Sequence, residues 1–273
     1  LCSYNLQSTF AALSFYNPDT TPWIIGAVEA VLVGYCLLGG GKRVIKATST
    51  LVPLMGVIYI SVAFILTIMH INLVPGVVGR IFAEAFDFTA IFGGFAGSCM
   101  MFGIKRGLYS NEAGVGSAPN AAAAADVSHP VKQGLVQMLS VFIDTLLICT
   151  ATAFMCLSSG IEPTKELAGA PYVQAALAAS MGDYAKLFIT VSMVLFAFTT
   201  LLGNLYYVDN AFAYVLKHVP GKTFTLCYRI LACVLIFIGA GSSMGTMWDL
   251  ADVTMGFMAI INLPVICILG GPA

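Results

Sequence analysis

Apolar runs of about twenty residues recur along this chain, at roughly 22–40, 51–71, 88–104, 134–158, 183–208, 223–241 and 247–270, and they constrain its fold more than any other feature. A helix rises about 1.5 Å per residue, so about 20 apolar residues cross the hydrocarbon core of a bilayer. The runs are continuously apolar instead of alternating, which argues against the short strands of a membrane β-barrel. They are apolar on every side, which argues against a water-soluble helix bundle. Composition agrees, with 59% hydrophobic and 9% charged residues, where a soluble domain carries about 25% charged. So little polar surface cannot cover a globule in water. The expectation is an all-α polytopic, multi-pass membrane protein, with lipid as its solvent. A net charge of -1 leaves no footprint for nucleic acid.

Residues 1–14 read as the tail of a further span. The chain opens at Leu1 and closes in the apolar stretch Ile261–Gly271, so it reads as a fragment truncated at both ends, with no signal peptide. Basic residues orient the spans, because Lys and Arg collect on the cytoplasmic side. Lys42, Arg43, Lys46, Lys105, Arg106, Lys132, Lys217, Lys222 and Arg229 fall in or beside alternate gaps, and Arg80, Lys165 and Lys186 in or beside the others. The rich side is expected to be cytoplasmic. The eight cysteines form no C-x-x-C pair and sit mostly in apolar runs, which fits small packing residues better than a metal or redox site.

Carboxylates inside a span are costly and therefore candidates for function. Glu29, Asp144, Asp249 and Asp252 qualify. Asp144 shares a helix face with Ser140 and Thr152, facing either a wet cavity or a neighbouring helix to which it hydrogen-bonds. Glu29 stands among Val, Ala and Leu, and either acts or pairs with another helix or with a part of the protein missing from this chain. Trp248, Asp252 and Gly256 recur at spacing four, and an indole, a carboxylate and bare backbone suit a small zwitterion; an interfacial tryptophan belt is the other reading. Thr199 and Thr200, with Asn204 one turn on, offer hard oxygens suited to a small cation, or simply bond back to their own helix. Gly93, Gly94 and Gly97, with Phe95 between them, mark either a close helix contact or an unwound point facing a substrate. Gly114-x-Gly116 lacks the Lys and Ser/Thr of a phosphate loop. It suits a gating hinge on the cytoplasmic side or a plain connector. Three histidines and no nucleophile–base motif leave no catalytic constellation, so the chain is not read as an enzyme.

The stretch from Gly103 to Ala123, running Lys105-Arg106-Gly107-Leu108-Tyr109-Ser110-Asn111-Glu112-Ala113-Gly114-Val115-Gly116-Ser117-Ala118-Pro119, resembles the signature of the alanine or glycine:cation symporter family. Three further stretches share the resemblance: Phe142–Thr145 with Cys149–Ala153, Phe196–Tyr207, and Trp248–Asp252 with Gly256–Leu263. It covers essentially the whole chain. It implies a LeuT-type inverted-repeat transporter fold, incomplete here, with the site at the bilayer midplane. Residues 1–273 would form a single transmembrane transporter domain, running from the end of core helix 3 through core helix 10. It implies Na⁺-coupled symport of a small neutral amino acid, alanine or glycine, with Na⁺ as coupling ion and no other cofactor.

By the same resemblance Thr199 and Thr200 present paired hydroxyls to Na⁺. Gln7, Gly94, Phe95, Gly97, Trp248 and Asp252 are the expected substrate contacts. The pair Val208-Asp209 departs from the family's glycine–acidic pair, which leaves the cytoplasmic end of that span undefined, and the first core helix is absent. The alternatives are another LeuT-type permease, proton-coupled through Asp144 or Asp252, and, further off, an intramembrane enzyme or a channel-like scaffold. A channel would call for rings of polar residues.

Overall fold

The computed structural model describes residues 1–87, 99–164 and 167–270, and among them the regular elements are helices. In chain order they are α1 (Cys2–Thr9), α2 (Thr21–Leu38), α3 (Gly41–Met69), α4 (Val74–Ala85), α5 (Cys99–Asn111), α6 (Ser117–Ala123), α7 (Pro130–Phe142), α8 (Thr150–Leu157), α9 (Ala170–Met181), α10 (Tyr184–Leu216), α11 (Lys222–Ala240) and α12 (Met244–Leu269). A π-helical stretch, Ile143–Cys149, joins α7 to α8 without a break.

Among the described residues, six helices are long and apolar enough to cross a membrane: α2, α3, the continuous Pro130–Leu157, α10, α11 and α12. The chain is therefore part of a multi-pass membrane protein. The six match the apolar runs read from the sequence, apart from the run at 88–104. Residues 88–98 of that run lie outside the described residues, as does Lys165 of the following gap. Its remainder begins α5, which continues to Asn111, so Lys105 and Arg106 are helical instead of flanking a loop. Two shorter helices, α4 and α9, were not anticipated, because a search for membrane-length runs passes over segments of 12 residues.

The chain divides into two compact units. The first comprises Leu1–Val62 and Ser159–Asp249; the second comprises Ala63–Ser158 and the residues from Leu250 on. In the first unit the core is built on α2. Ala30, Val33 and Leu37 are buried with Val44 of α3, Leu202 of α10 and Ile236 of α11. Small residues at spacing four, Gly26, Ala30 and Gly34, form one stripe of α2. A Cβ at Gly26 would stand 2.7 Å from the Cβ of Ala240 and 3.2 Å from the carbonyl oxygen of Phe237, and one at Gly34 would stand 3.3 Å from the sulfur of Cys233. Between helices in lipid there is no gain from leaving water. Association rests on van der Waals contact, and small residues permit it by letting backbones approach. At one end of α2, Arg229 of α11 donates to the carbonyl oxygen of Leu37 at 2.7 Å and to Asp209 of α10 at 2.9 Å, so one guanidinium ties three helices.

The short α9 is pinned by Gln174, which is 2% exposed. Its Nε2 donates to the carbonyl oxygen of Thr9 and to Thr190 Oγ1, both at 3.0 Å. The carbonyl left free where α1 ends thus finds its donor on another helix.

The second unit buries less. Ala63, Leu66, Val77, Val115, Met155, Cys156 and Ala259 are buried apolar residues among those described in it, and polar side chains tie α5 to α12 and to the π-helical stretch.

Candidate transport site

Among the expected site residues, the threonine pair is the clearest in placement. Both stand on α10, but successive helical residues point about 100° apart. Thr199 is buried and Thr200 is exposed. The Thr199 hydroxyl donates to the carbonyl oxygen of Leu195 at 2.8 Å, the back-bonding expected of a threonine within an apolar helix. This bond occupies the hydroxyl's proton and leaves its lone pairs free to face a cation.

Gln7 is on α1 and 5% exposed. Its Oε1 accepts a hydrogen bond from Tyr16 Oη at 2.8 Å. Burial, with Tyr4 adding to it, pushes the Tyr16 phenol above its ordinary value. The phenol therefore keeps its proton at neutral pH and holds the glutamine side chain in a fixed direction. The sign follows: a raised phenol supports the folded form below the ordinary tyrosine range, and that support fades as pH climbs through the raised value.

Trp248 is half-buried in the first turns of α12, and Asp249 beside it is exposed. Gly94, Phe95 and Gly97 lie outside the described residues.

Asp252 belongs to the second unit, and its carboxylate is engaged. Arg106 of α5 reaches its two oxygens at 3.0 and 3.1 Å, and Lys105 stands 3.4 Å from one of them. The ion pair explains why α5 carries two basic residues mid-helix. It also means that Asp252 faces fixed cations here.

Asp144 answers one of the alternatives left open by its spacing. It accepts from Ser110 Oγ at 2.6 Å, and Asn111 Nδ2 donates to Thr145 Oγ1 at 3.1 Å, so the residue ties α5 to the π-helical stretch. Ser140 and Thr152 bond to carbonyls of their own helix, Gln137 and Ile148. The wider π turn, Ile143–Cys149, starts directly before Asp144, so the face computed for a regular helix does not continue through it.

Sequence reasoning left the signature turn between hinge and plain connector, and the geometry makes it a built element. Glu112, Gly114 and Gly116 have φ of 51°, 98° and 102°, a region that glycine enters without steric cost. Asn262 Nδ2, on α12, donates to the Gly114 carbonyl oxygen at 2.9 Å. Val115 between the glycines is 3% exposed. The sequence reading used Asn262 only as part of a resembling stretch and Arg106 only as an orienting charge and motif residue, and gave neither a partner. A polar residue in the apolar run Ile260–Leu263 was the available signal for the first, and two adjacent basic residues after an apolar run for the second.

The sodium:alanine symporter family model matches residues 3–273. The amino-acid carrier protein AlsT of Bacillus subtilis is 43% identical over 250 residues, 92% of this chain and 53% of that protein. A probable sodium/glutamine symporter, GlnT, of the same organism is 40% identical over 266 residues, 97% of this chain and 55% of that protein. A sodium/proton-dependent alanine carrier protein of Bacillus sp. PS3 is 36% identical over 283 residues, 98% of this chain and 64% of that protein. The chain thus spans about half to two-thirds of the length of these relatives.

Proposed function

Because the chain belongs to the sodium:alanine symporter family, we propose that the whole protein carries a small neutral amino acid, alanine or glycine, across the membrane together with Na⁺. The observation that carries this reading is the match of a symporter family over residues 3–273, on a chain whose membrane-length helices bury polar side chains such as Thr199. Polar groups within a span are costly and persist where an ion or substrate passes. The substrates in two relatives' names, alanine for one and glutamine for another, support a neutral amino acid.

The fold of the whole protein is, on this reading, LeuT-type, with residues 1–273 belonging to one transporter domain that starts at the end of core helix 3. The substrate residues are Gln7 and Trp248 in the first unit, Asp252 in the second, and Gly94, Phe95 and Gly97. Asp252 accepts an ammonium group only once Arg106 and Lys105 release it. Thr199 and Thr200 supply oxygens to Na⁺, and the ends rich in Lys and Arg face the cytoplasm.

The test is uptake of labelled alanine and glycine into proteoliposomes holding the whole protein, with and without an inward Na⁺ gradient. Uptake that rises with the gradient is expected; uptake indifferent to Na⁺ and to every other cation gradient overturns the reading. Thr199→Ala removes one oxygen contact to a charge, worth about 1.5–3 kcal/mol, so the half-saturating Na⁺ concentration is expected to rise by about tenfold or more. An unchanged half-saturation takes Thr199 out of the cation site.

A further inference from the structure

Carboxylates on the membrane-length helices mostly have evident partners. Asp144 accepts from Ser110, Asp209 pairs with Arg229, and Asp252 pairs with Arg106 and Lys105. Glu29 differs. It stands near the middle of α2, it is 3% exposed, and among the described residues neither carboxylate oxygen has a partner in hydrogen-bond geometry, with the Ser3 hydroxyl its one near polar neighbour. Its neighbours along the same face of α2 are Gly26, Ala30 and Val33, which pack the core of the first unit.

An ionised carboxylate left alone in such surroundings is strongly disfavoured, whereas the neutral acid is tolerated. A metal cation would need a ring of oxygen ligands. Ser3 of α1 faces Glu29 and adds a single hydroxyl, which is too few oxygens for Na⁺ and enough company for a proton.

Among the described residues, no Lys, Arg or His side chain pairs with the Glu29 carboxylate. From α1 the side chain facing Glu29 is that of Ser3. On α11, Cys233 lies beside Gly34, and Arg229 bonds Leu37 and pairs with Asp209 of α10. On α10, Tyr206 lies against Gly41 of α3. On α2 itself the other titratable residues are Tyr35 and Cys36. Arg229 engages α2 eight residues from Glu29, about 12 Å along the axis, and its charge is already matched by Asp209.

We propose that Glu29 is a proton-binding site of the transport cycle. It carries a proton while buried as seen here and returns it to water when a path to α2 opens. The step is a transfer between a carboxylate oxygen and water, in which one O–H bond breaks and another forms. This rests on the symport reading above and assigns a residue to the proton dependence that one relative's name already carries.

The test uses the whole protein in proteoliposomes with a pH-sensitive dye inside, measuring protons entering per alanine carried. Wild-type protein is expected to acidify the lumen as alanine enters. Glu29→Gln is expected to lower the proton-to-alanine ratio at least tenfold, and Glu29→Asp to keep it with a displaced pH profile. An unchanged ratio in Glu29→Gln overturns the proposal. So does Na⁺-driven uptake by wild-type protein without acidification, and that result leaves the symport reading standing. Absence of uptake under any gradient would overturn the symport reading instead.

Labelling of wild-type protein by dicyclohexylcarbodiimide, a lipid-soluble reagent for protonated carboxyl groups, needs no variant. Modification of the peptide containing Glu29, falling as pH rises, supports the site. No modification at any pH overturns it, even where Glu29→Gln fails to accumulate.

Discussion

Two modes of helix association coexist in this chain. In the first unit α2 meets α11 where side chains are smallest, with Gly26 against Ala240 and Gly34 against Cys233. In the second unit α5 meets its partners through Arg106 with Asp252, Ser110 with Asp144 and Asn111 with Thr145. Nearly half of the residues of α2 are buried, against very few of those of α12. Close packing of small residues is intolerant of added volume, because interiors fill space as tightly as crystals. Polar ties tolerate volume but depend on both partners, because a group left alone in lipid has no water to turn to. The same apolar composition therefore conceals two sets of vulnerabilities.

Gly26→Leu should show the largest effect. Its side chain must displace Ala240 and the backbone at Phe237, and overpacking of this kind costs about 3 kcal/mol. Thermal unfolding in detergent measures it; a loss no greater than that of the next variant would break the comparison. Asp252→Asn should cost about 1 kcal/mol, a hydrogen-bonded ion pair discounted for the partial exposure of Arg106 and Lys105. Combining it with Arg106→Gln sharpens the point, since partners in one tie lose less together than the sum of their separate losses. Additive losses would show that the pair contributes nothing jointly.

Asn262→Ala removes the donor to the Gly114 carbonyl oxygen and should cost about 1 kcal/mol. It should be accompanied by faster amide exchange at residues 114–116, and unaltered exchange there would separate Asn262 from the turn. The smallest effect is expected at Asp183, fully exposed at the start of α10. The hydrogen bond and the charge of Lys186, 2.9 Å away, hold its carboxyl below the usual range. A lowered carboxyl supports folding above its ordinary value and loses that support as pH falls through the lowered one. In full solvent the contribution is screened, so Asp183→Asn should leave the unfolding temperature unchanged at pH 7; a clear drop would mean that surface pairs matter here as much as interior ones.

Legibility varied with the kind of signal. The spans at 22–40 and 223–241 were visible because apolar runs of that length have few other uses, and α2 and α11 follow them closely. The packing stripe Gly26, Ala30, Gly34 went unread as a spacing, and its partner could not have followed from it, because a small-residue stripe does not name the helix that fills it. Asp144 and Asp252 stood out as carboxylates in apolar runs. Their partners, Ser110 and Arg106, are 34 and 146 residues away in sequence, and no local pattern connects residues so far apart.

Sequence alone determined that this chain lies in lipid, roughly where it crosses, and which family it belongs to. Each of these depends on local composition or on a contiguous motif such as Gly103–Ala123. Tertiary structure alone decided that Thr199 is buried while Thr200 is exposed, that Gln7 is held by Tyr16, that the Gly114 turn is fastened by Asn262, and that Glu29 is buried with both oxygens unpartnered. The physical reason is that burial and hydrogen bonding are relations between residues. A side chain's character can be read where it stands, but its partner is settled only when distant helices come into contact.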